Sequence, residues 1–200
     1  MGDETSAPPK PNPASAGKGP LLQRDYWAVL DDCDHSPSEV MDLVALQFCS
    51  FPPPAIVRFE RDDEDVPLAV GDGMRIDIRG AGRCEVRVAH RDTNSITLHT
   101  LEGHPEAGRI TFGAYRNVEQ RVVFHIRSRA RASSNIRLAE YVAIGEAMQT
   151  STWTDFINRV AAALGCTIAG EINAQVEEVE LEEADTWSGL HQPTFLARGD

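Results

Sequence analysis

Met74-Arg-Ile-Asp-Ile-Arg79 and Arg83-Cys-Glu-Val-Arg-Val-Ala-His90 follow one another closely, and in both apolar residues alternate with charged ones. Successive side chains of a strand point to opposite faces, so Met74, Ile76 and Ile78 share one face while Arg75, Asp77 and Arg79 share the other. The second stretch repeats the pattern, with Cys84, Val86 and Val88 set against Arg83, Glu85 and Arg87. Ser95–Leu101, Arg109–Arg116 and Arg121–Arg127 continue it, separated by turn residues at Asp92-Thr-Asn94, around Gly103 and at Asn117. Consecutive strands with one charged face predict an antiparallel meander that is covered on its other side.

What covers it follows from the flanks. Asn135–Leu164 carries Tyr141, Ile144, Met148, Phe156, Val160 and Leu164 at helical spacing, and Gly165 ends the pattern. Gln149-Thr-Ser-Thr152 weakens its middle, and Thr152 followed by Asp155 resembles a fresh cap, so the pattern allows a kink or a break there. Upstream, Asp25–Asp32 is rich in aromatic and branched residues and predicts a strand. Ser36-Pro-Ser-Glu39 has the form of a capping box with proline at the first helical position. Val40, Leu43, Val44 and Phe48 continue that helix, Phe51-Pro-Pro-Pro54 stops it, and Ala55–Arg61 resumes as a strand. Strand, helical insertion, a run of strands and a long C-terminal helix make an α+β helix-grip: a curved antiparallel sheet around one long helix, with room for a cavity between them.

Composition sets the outer limits. The chain has 200 residues, 42% of them hydrophobic and 25% charged, enough for a folded domain without metal or disulfide staples. Residues 1–20 hold five of the twelve prolines and both lysines and are expected to be disordered. The domain proper is expected over 21–165 and an acidic, partly ordered tail over 166–200. Eight acids from Cys166 onward face the single Arg198, contributing most of a net charge of -12. That field argues against a nucleic-acid partner. The arginines between Arg121 and Arg137 read more simply as a solvated strand face and a turn. No apolar run approaches the ~20 residues of a membrane span, and the first residues show no basic and apolar leader pattern. The four cysteines, Cys33, Cys49, Cys84 and Cys166, have no paired spacing and are expected to be reduced thiols of a cytoplasmic protein. Neither they nor the six histidines form a metal-ligand motif, and no phosphate loop or dinucleotide fingerprint is present. No cofactor is expected.

Thr100-Leu-Glu-Gly-His-Pro-Glu-Ala-Gly108, followed by a strand and then Ser128-Arg129, resembles the family described as domain of unknown function 1990. The resemblance spans roughly residues 55–164. The chain departs from the family pattern at His99, Glu102, Arg109 and Ala130. That family is similar to the START and birch-allergen (SRPBCC) superfamily of helix-grip proteins. The resemblance implies binding of a lipid, polyketide or other apolar small molecule, with some superfamily members acting as cyclases or dehydratases. It carries no catalytic residues over.

Strand parity selects the residues expected to face the helix and any ligand: Val86, Val88, His90, Leu98, Thr100, Phe112 and Phe124, with Tyr141 from the helix either aimed at the cavity or part of the core. His99 and His125 fall on the opposite face and are expected to be solvated. Trp27 either lines the pocket or, more simply, plugs the barrel end. For acid–base work the candidates are His104, Glu106 and His90. An imidazole with two carboxylates, Glu102 and Glu106, within five residues can move a proton, although the same Gly103-His104-Pro105-Glu106 loop can equally be turn scaffolding. Three functions remain open on the sequence: an apolar-ligand binder, a cofactor-independent cyclase, dehydratase or isomerase, and an interaction module using the acidic tail. In that tail Trp187, Leu190 and Phe195 are expected to anchor on the domain.

Overall fold

The computed structural model describes residues 9–134 and 145–184. Its first strand, β1, runs over Lys18–Asp31 and so begins well before the aromatic stretch that predicts it. Helix α1 (Pro37–Gln47) opens as its sequence requires: the Ser36 hydroxyl accepts from the Glu39 amide, and the Glu39 carboxylate accepts from the Ser36 amide. The meander follows as β2 (Val57–Glu60), β3 (Gly73–Ile78), β4 (Gly82–Arg91), β5 (Ser95–Thr100), β6 (Glu106–Arg116) and β7 (Val122–Ala132). Helix α2 (Glu146–Leu164) and a last strand, β8 (Thr167–Val179), complete the described chain. The eight strands form one antiparallel sheet in the order β2-β3-β4-β5-β6-β7-β1-β8, and α2 packs on it, giving the α+β helix-grip architecture.

Several expectations change. Helix α2 passes unbroken through Gln149–Thr152, because Thr152 Oγ1 donates to the Met148 carbonyl (2.8 Å) and Thr154 Oγ1 to that of Thr150 (2.8 Å), instead of capping a new helix. The tail contributes a thirteen-residue strand, paired along β1 from Thr167 to Val179. Part of the proline-rich start is ordered as well: Pro11 bridges Leu101, and Ala14 is buried. Cys33 and Cys166 form a disulfide with Cα atoms 4.8 Å apart, tying the end of β1 to the start of β8, where free thiols were expected. Cys49 and Cys84 remain thiols. No described helix is long and apolar enough to cross a membrane.

The core centres on Phe156 of α2. Its ring lies 5.1 Å from Phe112, 5.4 Å from both Phe48 and Phe51, and 6.2 Å from Phe124. Helix α1 packs on β5, β6 and β7 beside it. Between them the two helices fill the middle of the concave face, where Val86, Val88, Leu98, Phe112 and Phe124 are all buried.

The opposite face is not the solvated surface that alternation suggests. His125 is fully buried and donates from Nε2 to Asp25 Oδ1 at 2.6 Å. Arg127 Nε donates to the same oxygen at 2.6 Å, and Gln23 Nε2 to Oδ2 at 2.9 Å. Burial alone would raise the Asp25 carboxyl, but the bonds and charges of His125 and Arg127 outweigh it and hold the group below its ordinary value. Gln23 in turn accepts from Arg129, whose Nη1 donates to the Glu183 carbonyl (2.6 Å) just beyond β8. Trp27 stands on this face, its ring 6.1 Å from that of His125.

Two outcomes are expected. Phe156→Ala removes the ring that Phe48, Phe51, Phe112, Phe124 and Trp153 surround and should cost about 3–5 kcal/mol in urea unfolding. Reducing the disulfide, which joins residues 133 apart, should lower stability by roughly 2–4 kcal/mol; equal urea midpoints with and without dithiothreitol would contradict it.

Candidate functional site

The concave face is fully packed only where α1 reaches. Toward β2 and β3, none of the described residues fills the space beneath the N-terminal half of α2, and a cavity of about 400 Å³ opens there. Its walls are apolar: Ile56, Val57 and Phe59 from the β2 region, Ile76 and Ile78 from β3, Met148 and Trp153 from α2. Its polar end is built from His104 and Glu106 of the β5–β6 connection with Gln149 and Thr152 of α2, while Arg79 stands at the β3 end.

The β5–β6 connection owes its shape to local bonding. The His104 amide donates to the Leu101 carbonyl (3.0 Å), and the Glu106 amide donates to His104 Nδ1 (3.0 Å). The same Nδ1 lies 3.1 Å from the Glu106 carbonyl, so both backbone groups of Glu106 hold the ring at one nitrogen. Thr100 Oγ1 accepts from the Gly108 amide (3.0 Å), which fixes the first residues of β6. Gly108 must be glycine, since a Cβ there would lie 2.2 Å from the Arg129 carbonyl oxygen of β7. The motif is thus held by packing at Gly108 and by hydrogen bonds at Thr100 and His104.

Charge at the polar end is paired. Gln149 Nε2 donates to Glu106 Oε1 at 2.8 Å, linking helix to loop. Arg24, only 2% exposed, reaches from the inner face of β1 to within 3.9 Å of the same oxygen. Burial pushes the His104 imidazole below its ordinary value, against the opposing pull of the Glu106 charge and the backbone bond. His104 is therefore neutral at neutral pH. Such a ring can give or take one proton, and a carboxylate within the same wall can accept one.

The candidates from sequence separate cleanly. His104 and Glu106 line the cavity together. Glu102 is exposed and engaged with Lys10, whose amide lies 3.4 Å from its carboxylate. His90 is elsewhere: the β4–β5 register shifts between Val88 and His90, so Val88 pairs with inward Leu98 but His90 pairs with Thr97. That one-residue bulge turns His90 to the outer face, where Nε2 lies 3.2 Å from Asp92. Val86, Val88, Leu98, Phe112 and Phe124 do face inward, as core and not as lining of this cavity. Thr100 serves the backbone at Gly108 and at Asn12, whose carbonyl its hydroxyl meets at 3.1 Å. Tyr141, Trp187, Leu190 and Phe195 lie outside the described residues. Parity missed Arg24, which sits on the inner face of β1 beside Tyr26. Helical periodicity offered one unused signal: Gln149 lies two turns before Phe156, a polar residue on the buried stripe.

Comparison with known proteins adds the following. A family model described as "Domain of unknown function (DUF1990)" matches residues 44–159. No curated protein matches the chain in sequence. Among solved structures it is similar to protein CV1439 from Chromobacterium violaceum, at 13% identity over 72% of this chain and 98% of that one, with a TM-score of 0.47. Ginseng major latex-like protein 151 from Panax ginseng gives 14%, 72%, 98% and 0.47. The di-domain ARO/CYC StfQ from the steffimycin biosynthetic pathway gives 10%, 72%, 50% and 0.48.

The buried neutral His104 has a measurable signature. The unfolded chain takes up the proton near the ordinary value of 6.5, before the folded chain does, so stability falls as pH drops through that value. His104→Asn keeps an acceptor near the Nδ1 position but cannot titrate. The acid-side slope of unfolding free energy should then flatten by up to about 1.4 kcal/mol per pH unit; an unchanged slope would show that this ring does not titrate differently on folding.

Proposed function

The chain belongs to the DUF1990 family, and from the cavity that its fold leaves open we propose that it binds an apolar small molecule, lipid- or polyketide-like, between β2, β3 and α2. One observation carries this reading: a cavity of about 400 Å³ whose walls are mainly apolar, with a few polar side chains among them. Small-molecule sites are typically roughly 300–1,000 Å³, largely apolar, with a few polar groups that orient the ligand.

A second reading makes the same cavity catalytic. His104 and Glu106 stand in one wall beside an apolar chamber, and a cyclase, dehydratase or isomerase needs no more than a shaped pocket with one or two acid–base groups. The two readings share the binding step and differ in turnover.

Binding is tested by native mass spectrometry of the purified chain and by titration with N-phenyl-1-naphthylamine, a neutral apolar fluorophore. The expected result is a retained ligand or saturable fluorescence. Ile78→Trp, which places an indole in the chamber, should weaken probe binding at least about tenfold while leaving the circular dichroism spectrum unchanged. Equal binding by wild type and Ile78→Trp would locate the probe elsewhere and remove the proposal.

A further inference from the structure

The lining of the cavity is graded in depth. Val57, Phe59, Ile76 and Thr152 are buried, whereas Arg79 and Gly80 at the tip of the β3–β4 hairpin are exposed, so the chamber meets solvent at that tip. Alternation puts Arg75 and Asp77 on the outer face and would send Arg79 there too. However, β3 ends at Ile78, and Arg79 is the first corner of the turn in which the Ala81 amide donates to the Ile78 carbonyl (3.0 Å). Gly80 completes that turn at φ +84°. The strand rule stops at the corner, and Arg79 lines the cavity instead. A Cβ on Gly80 would meet nothing within 4 Å, so the space beside Arg79 is open.

The acids around it are already engaged. Asp77 lies 3.8 Å from Arg83, and Asp62 lies 2.9 Å from Arg75. Within the cavity Glu106 is held by Gln149 and by buried Arg24. Among the described residues, none hydrogen-bonds or ion-pairs with the Arg79 guanidinium. A chain of net charge -12 thus keeps an uncompensated cation at the mouth of an apolar chamber. A guanidinium offers parallel N–H groups that match a carboxylate with two hydrogen bonds. An ammonium head group would be repelled there, and a hydroxyl would gain no charge pairing. A phosphate monoester carries about two negative charges. Arg79 balances one of them, and the excess meets the field of an acidic protein.

Resting on the binding reading above, we propose that the ligand is an amphiphilic carboxylic acid. Its apolar body lies in the chamber against Phe59, Ile76 and Trp153, and its carboxylate pairs with Arg79 at the mouth. Arg79 thereby sets both the class of ligand and the end that stays outermost. The pair is partly solvated, so its effect is modest and weakens with salt.

The test is a matched series on the full chain at neutral pH and low salt, read by calorimetry: 2-naphthylpropanoate, 2-naphthylpropanol, 2-naphthylpropyl phosphate and 2-naphthylpropylammonium. The apolar frame is constant and only the head group changes. The propanoate should bind first, ahead of each of the others by at least about threefold. Raising sodium chloride to about 1 M should shrink that lead. Arg79→Gln, at an exposed position, should abolish it, and Arg79→Glu should place the ammonium ahead of the propanoate. A smaller lead in the wild type, or any other head group first, would overturn the carboxylate assignment while leaving the cavity reading intact. A lead that survives undiminished in Arg79→Gln or at high salt would overturn the role of Arg79. No binding by any member, the propanol included, would overturn both the assignment and the cavity reading.

Discussion

Seating Phe156 among the rings of Phe48, Phe51, Phe112 and Phe124 is the constraint from which the rest of the domain follows. It sets α2 against the sheet at one height and one rotation. Because α2 is a continuous helix, Gln149 lies two turns before Phe156 and is delivered to the same face, over Glu106. The aromatic core and the polar end of the cavity are therefore two readouts of one helix placement. The chamber lies under the first half of α2 because the middle is occupied by the aromatic cluster and by α1.

Strand β1 carries a second constraint. Arg24 and Asp25 are neighbours of opposite charge, and the pleat sends them to opposite sides of the sheet. Each is buried, so each must find compensation on its own side: Arg24 at Glu106 within the concave face, Asp25 at His125 and Arg127 on the other. Paired in this way a buried charge is tolerated, whereas removing one partner strands the other. Both clusters join β1 to residues far along the chain, so they report correct assembly of the sheet as well as contributing to it.

Much of the fold was legible because its determinants are local. The alternation in β3 and β4, the Ser36–Glu39 box and the stripe through Phe156 and Val160 each lie within a dozen residues. What escaped was non-local. The Asp25–His125–Arg127 cluster and the Cys33–Cys166 bond join positions a hundred residues or more apart, and nothing in spacing announces them. The bulge before His90 is a single extra residue with no local mark, yet it reverses the face of everything beyond it. At the site, His104 and Glu106 were visible from their loop, because a compact run of imidazole and carboxylate is itself a signal. The walls were assigned to the central strands, since parity says which face a residue takes but not whether another side chain already fills the space before it.

The order of the strands also bears on how the chain reaches this state. β1 is synthesised well before both of its neighbours, β7 and β8: Asp25 stands opposite Arg127 on one side and Gln175 on the other. A long strand rich in Tyr, Trp, Val and Leu must wait unpaired while the intervening meander is synthesised. Such high contact order slows folding and exposes hydrogen-bonding edges during the wait. The charges at Arg24 and Asp25, placed in the middle of that waiting strand, make it a poor partner for a second copy of itself until their intended counterparts arrive.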